Sequence, residues 1–116
     1  LLIGQASLDD LSRRVGRPLE MLRFRPNLVV SGSAPYAEDS WRRIRIGELE
    51  LRVVKGCSRC IMTTLDPATG ERSVDREPLQ TLKTFRERDG EVYFGQNLIA
   101  EGCGELRLGM PVEVLE

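Results

Sequence analysis

Apolar and charged positions alternate strictly over residues 43–53. Ile44 and Ile46 alternate with Arg43 and Arg45, and Leu49, Leu51 and Val53 alternate with Glu50 and Arg52. Gly47-Glu48 separates the two runs, which predicts a β-hairpin closed by a two-residue turn. Further β-favouring runs are Asn27-Leu28-Val29-Val30, Ile61 to Leu65 and Val92-Tyr93-Phe94, and Leu106 with Leu108 and Val112 with Val114 flank Gly109-Met110-Pro111. A loop is expected from Ala34 to about Ser40, and Asp66-Pro67-Ala68-Thr69-Gly70 is a turn in which Pro presets φ and Gly accepts a positive one.

Twice the period changes to that of a helix. Ser7-Leu8-Asp9-Asp10 reads as an N-cap with an acidic first turn, Leu8, Leu11 and Val15 share one face, and Gly16 supplies the stop. Pro78 fits the first position of a second helix, with Leu79, Leu82 and Phe85 on its buried side. About six to eight short strands and two short helices predict a mainly β fold, a small β-barrel-like domain with helical decoration. Closure of the sheet protects strand edges that would otherwise be exposed.

Composition narrows the function classes. The 116 residues suit one domain, and 41% hydrophobic with 30% charged residues is the balance of a folded chain. No apolar run approaches the roughly 18 residues of a membrane span. With 17 Lys+Arg against 18 Asp+Glu and 5% aromatics, neither a polycation for nucleic acid nor a base-stacking platform is indicated. There is no histidine, which removes Ser-His-Asp triads, Cys-His nucleophile pairs and His-ligated zinc or haem. Lys55 and Lys83 are the only lysines, and neither sits in a Schiff-base motif, so covalently held pyridoxal phosphate is not expected. Three cysteines are not a disulfide scaffold, and without a visible secretory leader a reducing, cytoplasmic location is expected. The opening Leu1-Leu2-Ile3 lacks a methionine, so the chain reads as the C-terminal part of a longer protein.

Chemistry concentrates in Lys55-Gly56-Cys57-Ser58-Arg59-Cys60. A structural zinc site wants four N or S ligands, and the chain offers three sulfurs and no imidazole. A thioredoxin-like pair needs a helix start after the thiols, whereas Ile61 to Leu65 has strand character. Two buried cysteines acting as small hydrophobes is the plain alternative, against which stand the flanking Lys55 and Arg59. The fourth reading is one soft thiolate on a thiophilic metal whose remaining ligands come from a cofactor, with arginine forks on that cofactor's anionic handle. Arg23-Phe24-Arg25-Pro26-Asn27, stiffened by Pro26 and leading into an apolar strand, offers such a fork, although surface arginines more often only face solvent.

These residues carry a resemblance. Arg23 to Val30, followed by Ala37-Glu38-Asp39-Ser40-Trp41, resembles the first half of a MOSC domain (molybdenum cofactor sulfurase C-terminal). Cys57 to Thr64 with Asp66-Pro67 and Thr69-Gly70 is similar to its second signature, and Glu77-Pro78-Leu79, Thr81-Leu82 and Phe94-Gly95-Gln96-Asn97 follow in order. The likeness spans residues 1–116 as one MOSC domain and extends to the mitochondrial amidoxime-reducing component and its bacterial counterparts.

What the resemblance implies is a β-barrel-like fold that binds the molybdenum cofactor, a molybdopterin with a dithiolene and a phosphate. The family's metal-ligating cysteine falls on Cys60, its cofactor-contacting Arg and Asn on Arg25 and Asn27, and the residues before the ligand on Ser58 and Arg59. Asn97 stands where the amidoxime-reducing relatives carry a tyrosine, and it joins the cofactor-binding set. Cys57 is then a wall residue. The stretch Ser33-Ala34-Pro35 lacks the Asp associated with those relatives, so no catalytic residue is assigned. Full-length relatives carry a further N-terminal β domain, which the chain is expected to lack. The implied function is reduction of N-hydroxylated or N-oxygenated small molecules, with electrons from a flavin reductase through an iron–sulfur or haem carrier. A sulfur-carrier module for cofactor maturation is the alternative, and a structural module with idle thiols is a third.

Other residues have plainer readings. Glu38-Asp39 suit local capping, Trp41 and Phe94 suit the core, and Cys103 between Gly102 and Gly104 is incidental.

Overall fold

The computed structural model describes residues 1–116. In chain order its elements are β1 (Leu2–Gly4), α1 (Gln5–Val15), β2 (Leu28–Val30), β3 (Arg43–Ile46), β4 (Leu49–Arg59), α2 (Leu79–Phe85), β5 (Glu87–Arg88), β6 (Glu91–Glu101) and β7 (Val112–Val114). Short 3-10 helices lie at Met21–Phe24, Ala37–Ser40 and Ile61–Thr64. The strands form one sheet in the order β2-β1-β6-β4-β3-β7, with β5 hydrogen-bonded to β6. Its two ends, β2 and β7, face each other across a cleft of about 510 Å³ lined by Val30, Ser33, Trp41, Met110 and Val112, so the sheet is a nearly closed barrel.

Two clusters of buried side chains hold the fold. Leu2, Val30, Ile44, Ile46, Leu49 and Leu51 fill the barrel. Ile3, Leu8, Leu11, Leu82, Val92 and Phe94 pack the helices on the other face. Alternation along β1 sends Leu2 to one cluster and Ile3 to the other, so three residues tie both together. The expected hairpin is present, with Arg43↔Arg52, Ile44↔Leu51 and Ile46↔Leu49 paired.

Four expectations need correcting. Residues Ile61–Thr64 form a 3-10 helix and not a strand, because Thr63 and Thr64 turn their hydroxyls back to donate to the carbonyls of Cys60 (3.0 Å) and Ile61 (2.6 Å). Leu106 and Leu108 lie outside any strand, and Leu108 is fully exposed, so their alternation has no buried face to serve. Two strands, β4 and β6, are eleven residues long, not short. Finally, α1 begins at Gln5, with Gly4 as its N-cap. Ser7 is inside the helix, and the N-terminus is capped from a distance by buried Glu38. Its Oε2 accepts from the Gly4 amide (2.9 Å) and the Ser7 hydroxyl (2.7 Å), which places a carboxylate at the positive end of the helix dipole.

Helix α1 is also held through Asp10, whose carboxylate accepts from Arg14 (2.7 Å), Arg13 (3.0 Å) and the Tyr36 hydroxyl (2.9 Å). Chiefly the Arg14 hydrogen bond holds the Asp10 carboxyl down at about 2, against an ordinary 3.8, while burial and the Asp10 contact push the Tyr36 hydroxyl up. A depressed carboxyl pKa contributes stability above its unfolded value and loses it as pH falls through the folded one. Urea midpoints of the native chain are therefore expected to fall as pH drops from 3.8 to about 2, and Asp10→Asn to lessen that slope without abolishing it, since Asp75, held down by its Arg17 hydrogen bond, contributes in the same direction. An equal slope in both proteins would contradict the role.

Candidate functional site

Strands β4 and β6 supply the site, and two irregularities shape it. Val54 is an extra residue on β4, between the pairs Val53↔Leu98 and Lys55↔Asn97. On β6, Phe94 and Gly95 together oppose Cys57, between Gly56↔Gln96 and Ser58↔Tyr93. Each bulge re-aims the side chains beyond it. The alternation legible up to Val53 thus stops where the chemistry begins, and Phe94, Gly95 and Gln96 are buried in succession. Gly95 occupies its bulge with φ +89°, and a Cβ there would lie 2.9 Å from Leu1 Cδ1, 3.0 Å from Ile3 Cγ1 and 3.2 Å from the Leu2 carbonyl.

Arg59, the last residue of β4, reaches inward. Its Nε donates to the Phe94 carbonyl (2.8 Å) and its Nη1 to the Phe24 carbonyl (2.9 Å), with the guanidinium carbon 5.4 Å from the Phe24 ring centroid. Its Nη2 is buried without a partner. Burial pushes the Arg59 guanidinium below its ordinary pKa, opposed by the nearby Cys57 and Cys60 sulfurs. Arg59 thus clamps the Arg23–Asn27 segment to the sheet and keeps one buried N–H without a partner, while lining the cavity that holds Cys60. Arg23 closes the same contact from the other side, donating to the carbonyls of Thr63 (3.3 Å) and Leu65 (3.0 Å) and pairing with Glu20 at 2.7 Å. Its guanidinium is therefore structural.

Cys57 is half-buried, Cys60 is exposed, and both are free thiols. A 3-10 helix follows them, not the strand expected, so the following element no longer argues against a dithiol pair. Distance does. Cys57 and Ser58 are strand residues and Cys60 is itself extended (φ −131°, ψ −172°), so their Cα atoms stand roughly 10 Å apart, beyond the roughly 7 Å limit for a disulfide. No group of three or more Cys, Asp or Glu side chains comes together as a metal cage. A metal on Cys60 would take its other ligands from outside these 116 residues.

The expected site residues divide into two groups. Ser58, Arg59 and Cys60 share a cavity of about 480 Å³ with Leu79, Lys83 and Glu91. Ser58 and Asn97 share an adjoining one of about 250 Å³ with Lys55, Cys57, Arg88 and Tyr93. Asn27 lies instead at an apolar cavity beside Leu1 and Leu28, its Oδ1 accepting from the Leu1 nitrogen at 2.6 Å. Arg25 is exposed and lines none of these cavities; its backbone follows directly on the Phe24 carbonyl that Arg59 holds. Tyr93, Arg88 and Glu91 were not singled out from the sequence. The signal for Tyr93 was its place between Val92 and Phe94, on the opposite face of the strand.

The donor set suits an anionic, metal-bearing ligand: one accessible thiol, a buried guanidinium N–H without a partner, a hydroxyl and a carboxamide. A nearly closed barrel with a single candidate thiolate at the end of its longest hairpin arm is the class that fold and site define. The family model of the MOSC domain matches residues 1–113, and the chain belongs to the MOSC domain family. It is 45% identical to mitochondrial amidoxime-reducing component 1 of Homo sapiens, covering 99% of this chain and 36% of that protein. Against the namesake from Danio rerio it is 44% identical over 97% of this chain and 35% of the relative. Molybdenum cofactor sulfurase of Oryza sativa subsp. japonica is 39% identical over 98% of this chain and 15% of its own length. The chain therefore spans about a third of the amidoxime-reducing relatives it matches, with 36% for the human one.

Proposed function

We propose that the chain is the molybdenum-cofactor-binding part of an oxidoreductase that reduces N-hydroxylated and other N-oxygenated small molecules. The observation that carries this reading is the buried, unpartnered Nη2 of Arg59, whose residue lines the same cavity as the exposed Cys60 thiol. In it Cys60 holds the metal through its sulfur. Ser58, Arg59 and Asn97 donate hydrogen bonds to the pterin side, and Arg25 and Asn27, hung from the Arg59 clamp, serve the phosphate. Bound there, the cofactor would supply a two-electron metal centre. Cys57 is wall, and electrons arrive from a flavin reductase through an iron–sulfur or haem carrier.

The test is metal content of protein produced in a host that supplies the cofactor. Cys60→Ala is expected to lose nearly all molybdenum and Cys57→Ala to keep it. Equal loading of the native protein and Cys60→Ala would reject the ligand assignment.

The 39% identity to a molybdenum cofactor sulfurase supports a second reading, a sulfur carrier in which Cys60 takes the terminal sulfur of a desulfurase persulfide and the desulfurase thiol is released. Mass spectrometry after incubation with a cysteine desulfurase and cysteine separates the two: one added sulfur on Cys60 supports the carrier, and an unmodified thiol removes it.

A further inference from the structure

We propose that the trough between Trp41 and the β4–β6 pair is a second binding site, for a small molecule that joins an aromatic ring to an anionic group. The trough holds about 640 Å³, within the roughly 300–1,000 Å³ range of small-molecule sites. Trp41, Phe85 and Tyr93 give it aromatic walls. Arg42, Lys55 and Arg88 are exposed on its lining, and none of the three makes an ion pair; Arg88 lies over the Tyr93 ring, 4.9 Å from the centroid.

Of the other charges, Arg86 and Asp39 are engaged. Arg86 donates to Asp39 (2.6 Å) and to the Tyr93 carbonyl (3.0 Å), and the second Asp39 oxygen accepts from Gln96 Nε2 at 2.8 Å. Glu87 is the one unpaired carboxylate against three unpaired cations. A positive trough with aromatic walls selects an anion by Coulomb attraction and a flat ring by stacking.

The site does not depend on the cofactor. It shares Lys55, Gly56, Arg88 and Tyr93 with the smaller cavity that leads to Cys57 and Ser58, so an anchored ligand extends toward the Cys60 end of β4. Binding is measurable without molybdenum, and its failure leaves the Cys60 reading untouched.

Trp41 is the only tryptophan and reports the site directly. The native chain is titrated with 4-nitrobenzoate, whose nitro ring quenches indole on contact, and with its neutral counterpart 4-nitrobenzyl alcohol. Saturable quenching by the benzoate is expected, with the alcohol roughly five-fold or more weaker. Arg42→Gln, Lys55→Gln and Arg88→Gln should each weaken the benzoate by roughly two- to five-fold, and Arg13→Gln on α1 should not. Equal binding of the alcohol, no saturation, unchanged affinity in all three cavity variants, or an equal loss in Arg13→Gln would overturn the proposal. So would displacement of the benzoate by acetate as effective as by benzoate itself, since the ring would then contribute nothing.

Discussion

Arg59→Ala is expected to destabilise the chain by about 3–5 kcal/mol, because two charged hydrogen bonds to backbone carbonyls are lost together. Two carbonyls from separate parts of the chain, Phe24 and Phe94, lose a charged donor at once, and the Phe24 ring loses the guanidinium over its face. Each such hydrogen bond contributes about 1.5–3 kcal/mol, so the pair accounts for the range. Arg59→Lys keeps the charge but cannot span both carbonyls with a planar fork, and should recover less than half of the loss. Urea unfolding followed by circular dichroism measures both. A loss below about 1 kcal/mol in Arg59→Ala would mean that the clamp is ornamental. Loosening the Arg23–Asn27 segment would also lower cofactor retention in the loaded protein, even with Cys60 in place.

Gly95→Ala is expected to cost about 3 kcal/mol or more. The left-handed backbone accounts for about 1–3 kcal/mol for a side-chain-bearing residue. The rest comes from a Cβ driven against Leu1, Ile3 and the Leu2 carbonyl where β1 crosses the β6 bulge. Gly16→Ala is the control: its φ of +91° is as unfavourable, but nothing lies within 4 Å of its added Cβ. The difference in thermal midpoint between the two variants isolates the packing contribution, and equal midpoints would show that β1 tolerates displacement.

What the sequence made legible was what period and turn chemistry encode locally. The β3–β4 hairpin was readable because Ile44, Ile46, Leu49 and Leu51 all face one core and Gly47 permits the turn, with φ +61°. The stop of α1 was readable for the same reason: Gly16 adopts the left-handed cap. Its start was not, because the group that caps it is Glu38, far along the chain, and a remote carboxylate leaves no local pattern. Strand β1 escaped notice because three residues buried on both faces show no alternation, and their partners in β2 and β6 are remote. Ile61 to Leu65 misled because β-branched residues also suit a short 3-10 helix when their hydroxyls find backbone carbonyls.

The site followed the same division. Ser58, Arg59 and Cys60 were legible as a motif, and the structure keeps them in one cavity. The work of Arg59 as a clamp was not legible, because its partners are carbonyls of residues 24 and 94. Nor was the Tyr93–Arg88 wall, since the β6 bulge that sets the faces of the strand depends on Gly95 meeting β1.

X-ray absorption at the molybdenum edge tests the central claim most directly, because it counts the sulfur atoms on the metal. The native, cofactor-loaded protein is predicted to show one more sulfur neighbour than any loaded residue of Cys60→Ser, with Cys57→Ser indistinguishable from native. An unchanged sulfur count in Cys60→Ser, or a count that drops in Cys57→Ser instead, would contradict the account.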